Sequence, residues 1–241
     1  MDRIEIKKDI FLHNTGALHI PSLSLAAISD LHIGYESSEA LHGPFPGDQW
    51  DVLTDKVERV LSSLSPEILV IVGDLKHNFQ RNLSQEWDDV DAMLEKVSSM
   101  SEVVVVRGNH DNYLSSILRK KGIPLLGEYR RDGLLFAHGH KRVQKEGLLI
   151  MGHEHPSVGL RDGVGGRLKL PCFLYSDNHE VVVLPAMSPL AGGADVLRSS
   201  EFLSPILNSF SKDGFRVWAL SDIGLLSFGK LGALRRAIIE Q

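Results

Sequence analysis

Five short apolar runs in this chain each end in side chains that can bind metal ions. Leu25–Ser29 leads into Asp30-Leu31-His32, and Ile68–Val72 into Gly73-Asp74. Val103–Val106 runs through Arg107 into Gly108-Asn109-His110-Asp111, Leu134–Ala137 into His138-Gly139-His140, and Leu148–Met151 into Gly152-His153-Glu154-His155. In open α/β sheets, ligands sit beyond the carboxyl ends of the strands. Neighbouring strands would therefore carry Asp30, His32, Asp74, Asn109, His138, His153 and His155 to one place. The i, i+2 pairs Asp30/His32 and His153/His155 suit extended backbone, where alternate side chains share a face. Imidazoles and carboxylates together suit Mn, Fe, Zn, Ni or Co, and the lack of thiolates argues against a structural zinc. Two ions about 3.5–4 Å apart need a bridging ligand, for which a carboxylate is the natural choice. Gly73, Gly108 and Gly152 each precede a ligand cluster, where a missing Cβ allows a sharp turn or a close approach of metal or phosphate.

The elements that would position these residues are legible in the hydrophobic pattern. Ile68–Val72 is too short for a helix and reads as a strand buried on both faces, as does Val103–Val106. Asp51–Leu64 reads as a helix, with Val52, Leu53, Val57, Val60, Leu61 and Leu64 three and four apart. Further helices are expected over Gln85–Val97, from about Leu114 to Lys121, from Pro205 (capped by Ser204) to about Lys212, and over Leu231–Ile239. Arg3–Ile6, Ile10–Leu12, Ala17–Ile20 and Phe215–Leu220 lean towards strands. Leu168–Leu174 and Glu180–Leu184 look like a strand pair. Alternating strands and helices in the first half suggest parallel pairing. The strand-rich later part suggests a second, mixed sheet, with helices outside two stacked sheets. No repeat or polar linker is visible, so residues 1–241 are expected to form one domain.

Composition sets limits on function. A formal charge of −5 over 241 residues argues against coating nucleic acid through bulk charge, while leaving room for a local basic groove. No apolar run is long enough to cross a bilayer, and the N-terminus lacks a signal-peptide core, so a cytoplasmic protein without membrane partners is expected. The single cysteine, Cys172, excludes an internal disulfide and an all-thiolate zinc site, and it reads as buried and inert. The 11 histidines stand out. His13, His19, His42 and His179 belong to no motif and read as structural, whereas His77 and His140 could line the site. Arg107 could face a phosphate or make a structural ion pair. Gly163-Val164-Gly165-Gly166 reads as a turn, and Arg235-Arg236 as solvated surface.

In type and order the five blocks, D-x-H, G-D, G-N-H-D, H and G-H-x-H, resemble the signature of the calcineurin-like metallophosphoesterases. Ile28–Glu36, Gly73–His77, Gly152–Pro156 and Leu184–Gly193 further resemble the archaeal and DNA-ligase-associated branch. The resemblance implies a four-layer α/β/β/α sandwich of two mixed sheets flanked by helices. It implies a first ion on Asp30, His32 and His155, a second on Asn109, His138 and His153, and Asp74 bridging both. His110 would act beside the scissile phosphate, with Asp111 either orienting it or capping the next helix. The expected activity is hydrolysis of a phosphodiester by metal-activated water with two divalent ions, manganese favoured, on a substrate that could be DNA, RNA or a cyclic nucleotide. A phosphomonoesterase is the competing reading. A non-catalytic metal-binding scaffold of the same fold is disfavoured because His110, His138, His153 and His155 are all present. The oligomeric state is left open.

Overall fold

The computed structural model describes residues 1–35, 49–78, 84–161 and 166–239. Glu36, His42, Gly163, Val164 and Gly165 lie outside these. Strands β1 (Arg3–Lys7), β2 (Ile10–His13), β3 (Leu18–Ile20) and β4 (Leu25–Ile28) form an antiparallel meander. Onto β4, in parallel, are added β5 (Ile68–Val72), β6 (Glu102–Val106) and β7 (Leu125–Leu126), giving a seven-stranded sheet in chain order. Parallel neighbours require crossovers. Here α1 (Gln49–Leu64) precedes β5, α2 (Ser84–Ser98) precedes β6, and α3 (Ser115–Lys120) precedes β7.

The second sheet is mixed as well. Strand β8 (Tyr129–Arg131) pairs antiparallel with β9 (Leu134–Phe136), and β10 (Leu148–Met151) runs parallel to both β9 and β13 (Val181–Val183). The long β12 (Arg167–Ser176) pairs antiparallel with β11 (Pro156–Arg161), β13 and β15 (Arg216–Ser221). The short β14 (Ala194–Asp195) lies along β11, and β16 (Gly224–Lys230) along β15. Helix α4 (Leu231–Ile239) follows β16. Among the described residues, no helix is long and apolar enough to cross a membrane.

Alternation along the strands sorts the core into three layers of contact. Ala26, Ile28, Leu69, Ile71, Val103 and Val105 turn to α1, α2 and α3, where they meet Leu53, Val57, Val60, Leu61, Met93 and Leu94. Their neighbours Leu25, Ala27, Val70, Val72, Val104 and Val106 turn the other way and meet Phe136, Ile150, Phe173 and Val182 of the second sheet. The outer face of that sheet, with Leu149, Met151, Leu174 and Val183, packs on Phe202, Leu207, Phe215 and Leu231. These are the two stacked sheets between helical layers that the pattern implies, an α/β/β/α sandwich.

Three expectations need correction, and two strands lie outside the pattern. The stretch from Pro205 to Lys212 is not an α-helix but two short 3₁₀ turns, Leu207–Ser209 and Lys212–Gly214. Asn208, Ser209, Ser211, Asp213 and Gly214 are weak helix formers, and Ser204 caps only one turn, its Oγ accepting the Ile206 amide at 3.2 Å. Val52 is exposed and takes no part in the buried face of α1. Arg235 is not simple surface: its guanidinium donates to the Val196 and Ser199 carbonyls at 2.8 and 2.7 Å. Strands β11 and β16 were not anticipated, because Gly159, Gly224 and Gly229 interrupt their patterns.

Phe136 is fully buried between the sheets. Phe136→Ala should cost about 3–5 kcal/mol of unfolding free energy through lost burial and the cavity left behind. Urea unfolding of the variant checks this; a cost near zero would show that the two sheets are not packed through this ring.

Candidate metal centre

All five apolar runs end on the same side of the sandwich. Asp30 and His32 follow β4, Asp74 follows β5, and Asn109 to Asp111 follow β6, while His138 follows β9 and His153 and His155 follow β10. Two groups of side chains converge there, each with its ligand atoms within 4.8 Å of one another. One is Asp30, His32 and His155; the other is Asp74, His138 and His153. In the first, His155 Nε2 lies 3.1 Å from His32 Nε2 and 3.2 Å from Asp30 Oδ1. In the second, His138 Nε2 lies 3.3 Å from Asp74 Oδ2 and 3.0 Å from Asn109 Oδ1. Asp74 Oδ2 is also 3.8 Å from His32 Nε2, so this one oxygen stands between the groups. All seven expected ligand positions are thus together.

The histidines are aimed by bonds on their far sides. His138 Nδ1 donates to the Val72 carbonyl at 3.3 Å, which turns Nε2 to the site. His110 Nδ1 donates to the His77 carbonyl, and its Nε2 points to Asp74 Oδ2 at 3.9 Å. His32 presents Nδ1 to His77 Nδ1 at 3.4 Å. His77, His32 and His110 form a third convergent group, and the His77 ring leans on Tyr35 with centroids 4.1 Å apart. His140 packs beside His138 at 5.3 Å. Arg107 is exposed and lines a shallow cleft with Ser115, Arg119 and Pro124.

Backbone geometry at the ligands is unusual. Asp30, His32, Asp74, His153 and His155 all have φ between 41° and 71°, the left-handed region, which costs a non-glycine residue about 1–2 kcal/mol. The turns that create it bring the chain tightly together. A Cβ on Gly108 would collide with the Asp74 carboxylate, and one on Gly152 would sit 2.5 Å from Asp30 Oδ2. These two glycines thus make room for ligand carboxylates.

Three acidic side chains hold the loops in register. Asp111 is buried; its Oδ1 accepts the Leu75 amide at 2.9 Å and its Oδ2 the Gly108 amide at 2.8 Å, tying the loop after β5 to the loop after β6. It does not cap α3, which begins at Ser115 behind Leu114. Glu154, between the two histidines of its motif, accepts the amides of Ser204 and Leu203 at 2.6 and 3.0 Å. Glu86 accepts the amides of His77 and Asn78 at 3.2 and 2.8 Å and faces the fully buried Lys76 ammonium at 3.8 Å. Nothing in the sequence pattern singles out Lys76 or Glu86, because an interior Lys–Glu pair looks the same in sequence as an exposed one.

The electrostatics follow from burial against mutual attraction. Burial opposes the Asp30 and Asp74 carboxylates, but the facing histidines, His155 for Asp30 and His138 for Asp74, outweigh it and hold both pKa values below the ordinary range. Burial likewise opposes charge on His138, yet the hydrogen bond to Asp74 and the field of Asp30 push it up to about 9. His32 is pushed down by burial to about 3, and His77, His140 and His153 by burial to about 4. For Asp111, burial and then Asp74 raise the carboxyl to about 6. The set offers two carboxylates, four imidazoles and one amide oxygen; burial keeps His32 and His153 neutral, while the facing carboxylates favour the charged form of His138 and His155. That is a donor set fit for borderline divalent ions, with Asp74 Oδ2 lying between the two groups.

A family model described as calcineurin-like phosphoesterase matches residues 23–210. The crystal structure of the Pseudomonas putida nuclease MPE superposes with a TM-score of 0.68 at 23% identity, covering 94% of this chain and 98% of that one. YfcE, a phosphoesterase from E. coli, gives a TM-score of 0.39 at 18% identity, covering 82% of this chain and 88% of that one. No curated protein matches the sequence.

The four depressed histidines set an acid limit on the metal-free protein. Unfolded, each titrates near 6.5; folded, each stays neutral down to about 3–4. Between these values the unfolded chain binds more protons at these four sites, which outweighs the one opposing proton of Asp111, raised to about 6, so stability falls as pH falls from 6.5 towards 4. His138 acts in the opposite sense, adding stability that is lost as pH rises through about 9. Urea midpoints measured in chelator should therefore peak near neutrality and drop steeply on the acid side. A flat profile between pH 6.5 and 4.5 would contradict the buried neutral histidines.

Proposed function

The chain belongs to the calcineurin-like phosphoesterase family, hydrolases of ester bonds, and on that premise we propose that it hydrolyses phosphodiesters, in nucleic acid above all, with two divalent ions. The observation that carries the reading is the position of Asp74 Oδ2, 3.8 Å from His32 Nε2 in one ligand group and 3.3 Å from His138 Nε2 in the other. Asp30, His32 and His155 would hold the first ion, and Asn109, His138 and His153 the second, with manganese favoured. When bound, the ions would polarise the phosphoryl group and lower the pKa of an attacking water.

The chain's own contribution is orientation and one proton. With Nδ1–H given to the His77 carbonyl, His110 has Nε2 turned towards the site. As imidazolium it can donate there to a phosphoryl oxygen or to the departing oxygen. Asp111 ties the Gly108 amide, just before His110, to the Leu75 amide of the loop after β5, and Glu86 holds the amide of His77, whose carbonyl fixes the ring. The fold neighbour from Pseudomonas putida is described as a nuclease, which is in keeping with a diester substrate. Placement in the archaeal and DNA-ligase-associated branch rests on the residues flanking the motifs, His77 and Pro156 among them. Ligands drawn from both sheets support reading residues 1–241 as one domain, and the lone buried Cys172 suits a reducing cytoplasm.

Chelation followed by dialysis should abolish turnover of bis-p-nitrophenyl phosphate, with Mn²⁺ or Co²⁺ restoring it better than Mg²⁺, which prefers oxygen ligands. Asp74→Asn should lose both ions in elemental analysis, whereas His155→Ala should lose chiefly one. Full turnover in a chelated, metal-free sample would sink the proposal.

His110→Asn should lower kcat about 10²–10⁴-fold on a dinucleotide with metal content unchanged. The deficit should be smaller with a p-nitrophenolate leaving group, which needs no proton. Loss of an ion in this variant would make His110 a ligand instead.

A further inference from the structure

The surface beside His155 opens into a groove. Its near part, about 310 Å³, is bounded by His155, Lys169, Pro171 and Ala186. Its far part, about 700 Å³, shares Pro171 and Ala186 and continues to Lys56 and Arg59 of α1. The two parts share Pro171 and Ala186 and so lie side by side, the near one at a candidate ion ligand and the far one leading away from it. The wall is built into the site. Ser29 pairs with Ala186, the Met187 amide donates to the Ser29 carbonyl at 2.9 Å, and the Ser188 amide donates to the Asp30 carbonyl at 3.1 Å. On the helix side, Lys56 Nζ donates to the Met187 carbonyl at 3.2 Å. The groove therefore has a fixed position relative to Asp30.

The lining has an unusual chemistry for a chain of net charge −5. Among the described residues, Lys56, Arg59 and Lys169 line it against one carboxylate, Asp222. Among these cations stand Leu168 and Ile223, which are 56% and 80% exposed. Cations interspersed with exposed apolar surface suit a polymer whose anionic backbone alternates with flat apolar bases, and such contacts are useful only where the bases are unpaired. A cyclic nucleotide or other small diester could reach His155 without touching Arg59. We propose that this groove is the track of a single-stranded polynucleotide, which lies along Arg59, Lys56 and Lys169 and presents a phosphodiester beside His155. This rests on the phosphodiesterase reading and extends it to a substrate class and a set of specificity residues.

The test compares kcat/KM with Mn²⁺ on bis-p-nitrophenyl phosphate, on fluorescein-labelled thymidine oligonucleotides of two to twelve residues, and on a twelve-base-pair duplex. The proteins are the wild type, Arg59→Glu, Lys169→Glu and, as a charge-matched change outside the groove, Lys120→Glu. In the wild type, kcat/KM should rise with the length of the single strand and exceed that on the duplex. Arg59→Glu and Lys169→Glu should each lower the ratio of twelve-mer to small-diester kcat/KM about tenfold and reduce the salt slope by about one; Lys120→Glu should keep both. Equal loss on long and small substrates, or a duplex cut as well as the single strand, would overturn the groove assignment. If no form hydrolyses the small diester with any metal, the phosphodiesterase reading fails separately. Fluorescence anisotropy of the labelled twelve-mer then decides for the groove: binding weakened in Arg59→Glu but not in Lys120→Glu sustains it, and binding equal in both ends it.

Discussion

Two carboxylates withdrawn from water, Asp30 and Asp74, set the terms for the rest of this molecule. A buried charge is tolerated only with partners close by, and here the partners come from elements far apart in sequence. His138, from the second sheet, faces Asp74 at 3.3 Å and Asp30 at 3.7 Å, both carried by the first. The amides of His153 and His110 add hydrogen bonds to the same two carboxylates, at 3.0 and 2.8 Å. The two sheets are thus joined twice, by the apolar layer between Val70, Val72, Phe136 and Ile150 and by this polar cluster at its end. The first is non-directional and sets the spacing of the sheets; the second is directional and sets their alignment.

Around this centre the same device recurs three times. Asp111, Glu154 and Glu86 are buried acids whose oxygens accept backbone amides of neighbouring loops. A carboxylate has several acceptor sites and can hold two strands of chain at once, which a hydroxyl or amide does less firmly. Loops that carry ligands are thereby stiffened from behind, and the His138 and His110 rings are aimed by their own backbone hydrogen bonds.

Much of this was legible in the sequence, for reasons specific to the elements involved. The strands β5, β6 and β10 are continuous apolar runs because both faces are buried, and each motif sits where its strand stops. Helix α1 shows the three-and-four spacing because only one face is covered. What escaped reading depends on contacts between distant segments. The segment after Ser204 has helix-like punctuation but is held by Glu154 and packs through Phe202 and Leu207, so tertiary anchoring overrides a weak local preference. Lys76 and Glu86 look like ordinary surface charges until the fold buries them together. The groove along Pro171 and Ala186 has no periodicity at all, since its walls come from a helix, a strand and a loop.

The left-handed backbone at Asp30, His32, Asp74, His153 and His155 bears on how a descendant of this chain would age. At each of these positions the chemistry retains a residue that glycine would replace with less backbone cost. Core positions such as Val70 and Ile150 offer no comparable relief, since any smaller side chain leaves a cavity. Yet the relief, about 1–2 kcal/mol at each position, is smaller than the roughly 3–5 kcal/mol lost when one partner of a buried pair such as Asp74 and His138 is removed. In a descendant freed from selection on catalysis, losing Asp30 or Asp74 would therefore loosen the alignment of the sheets, and site and architecture would decay together.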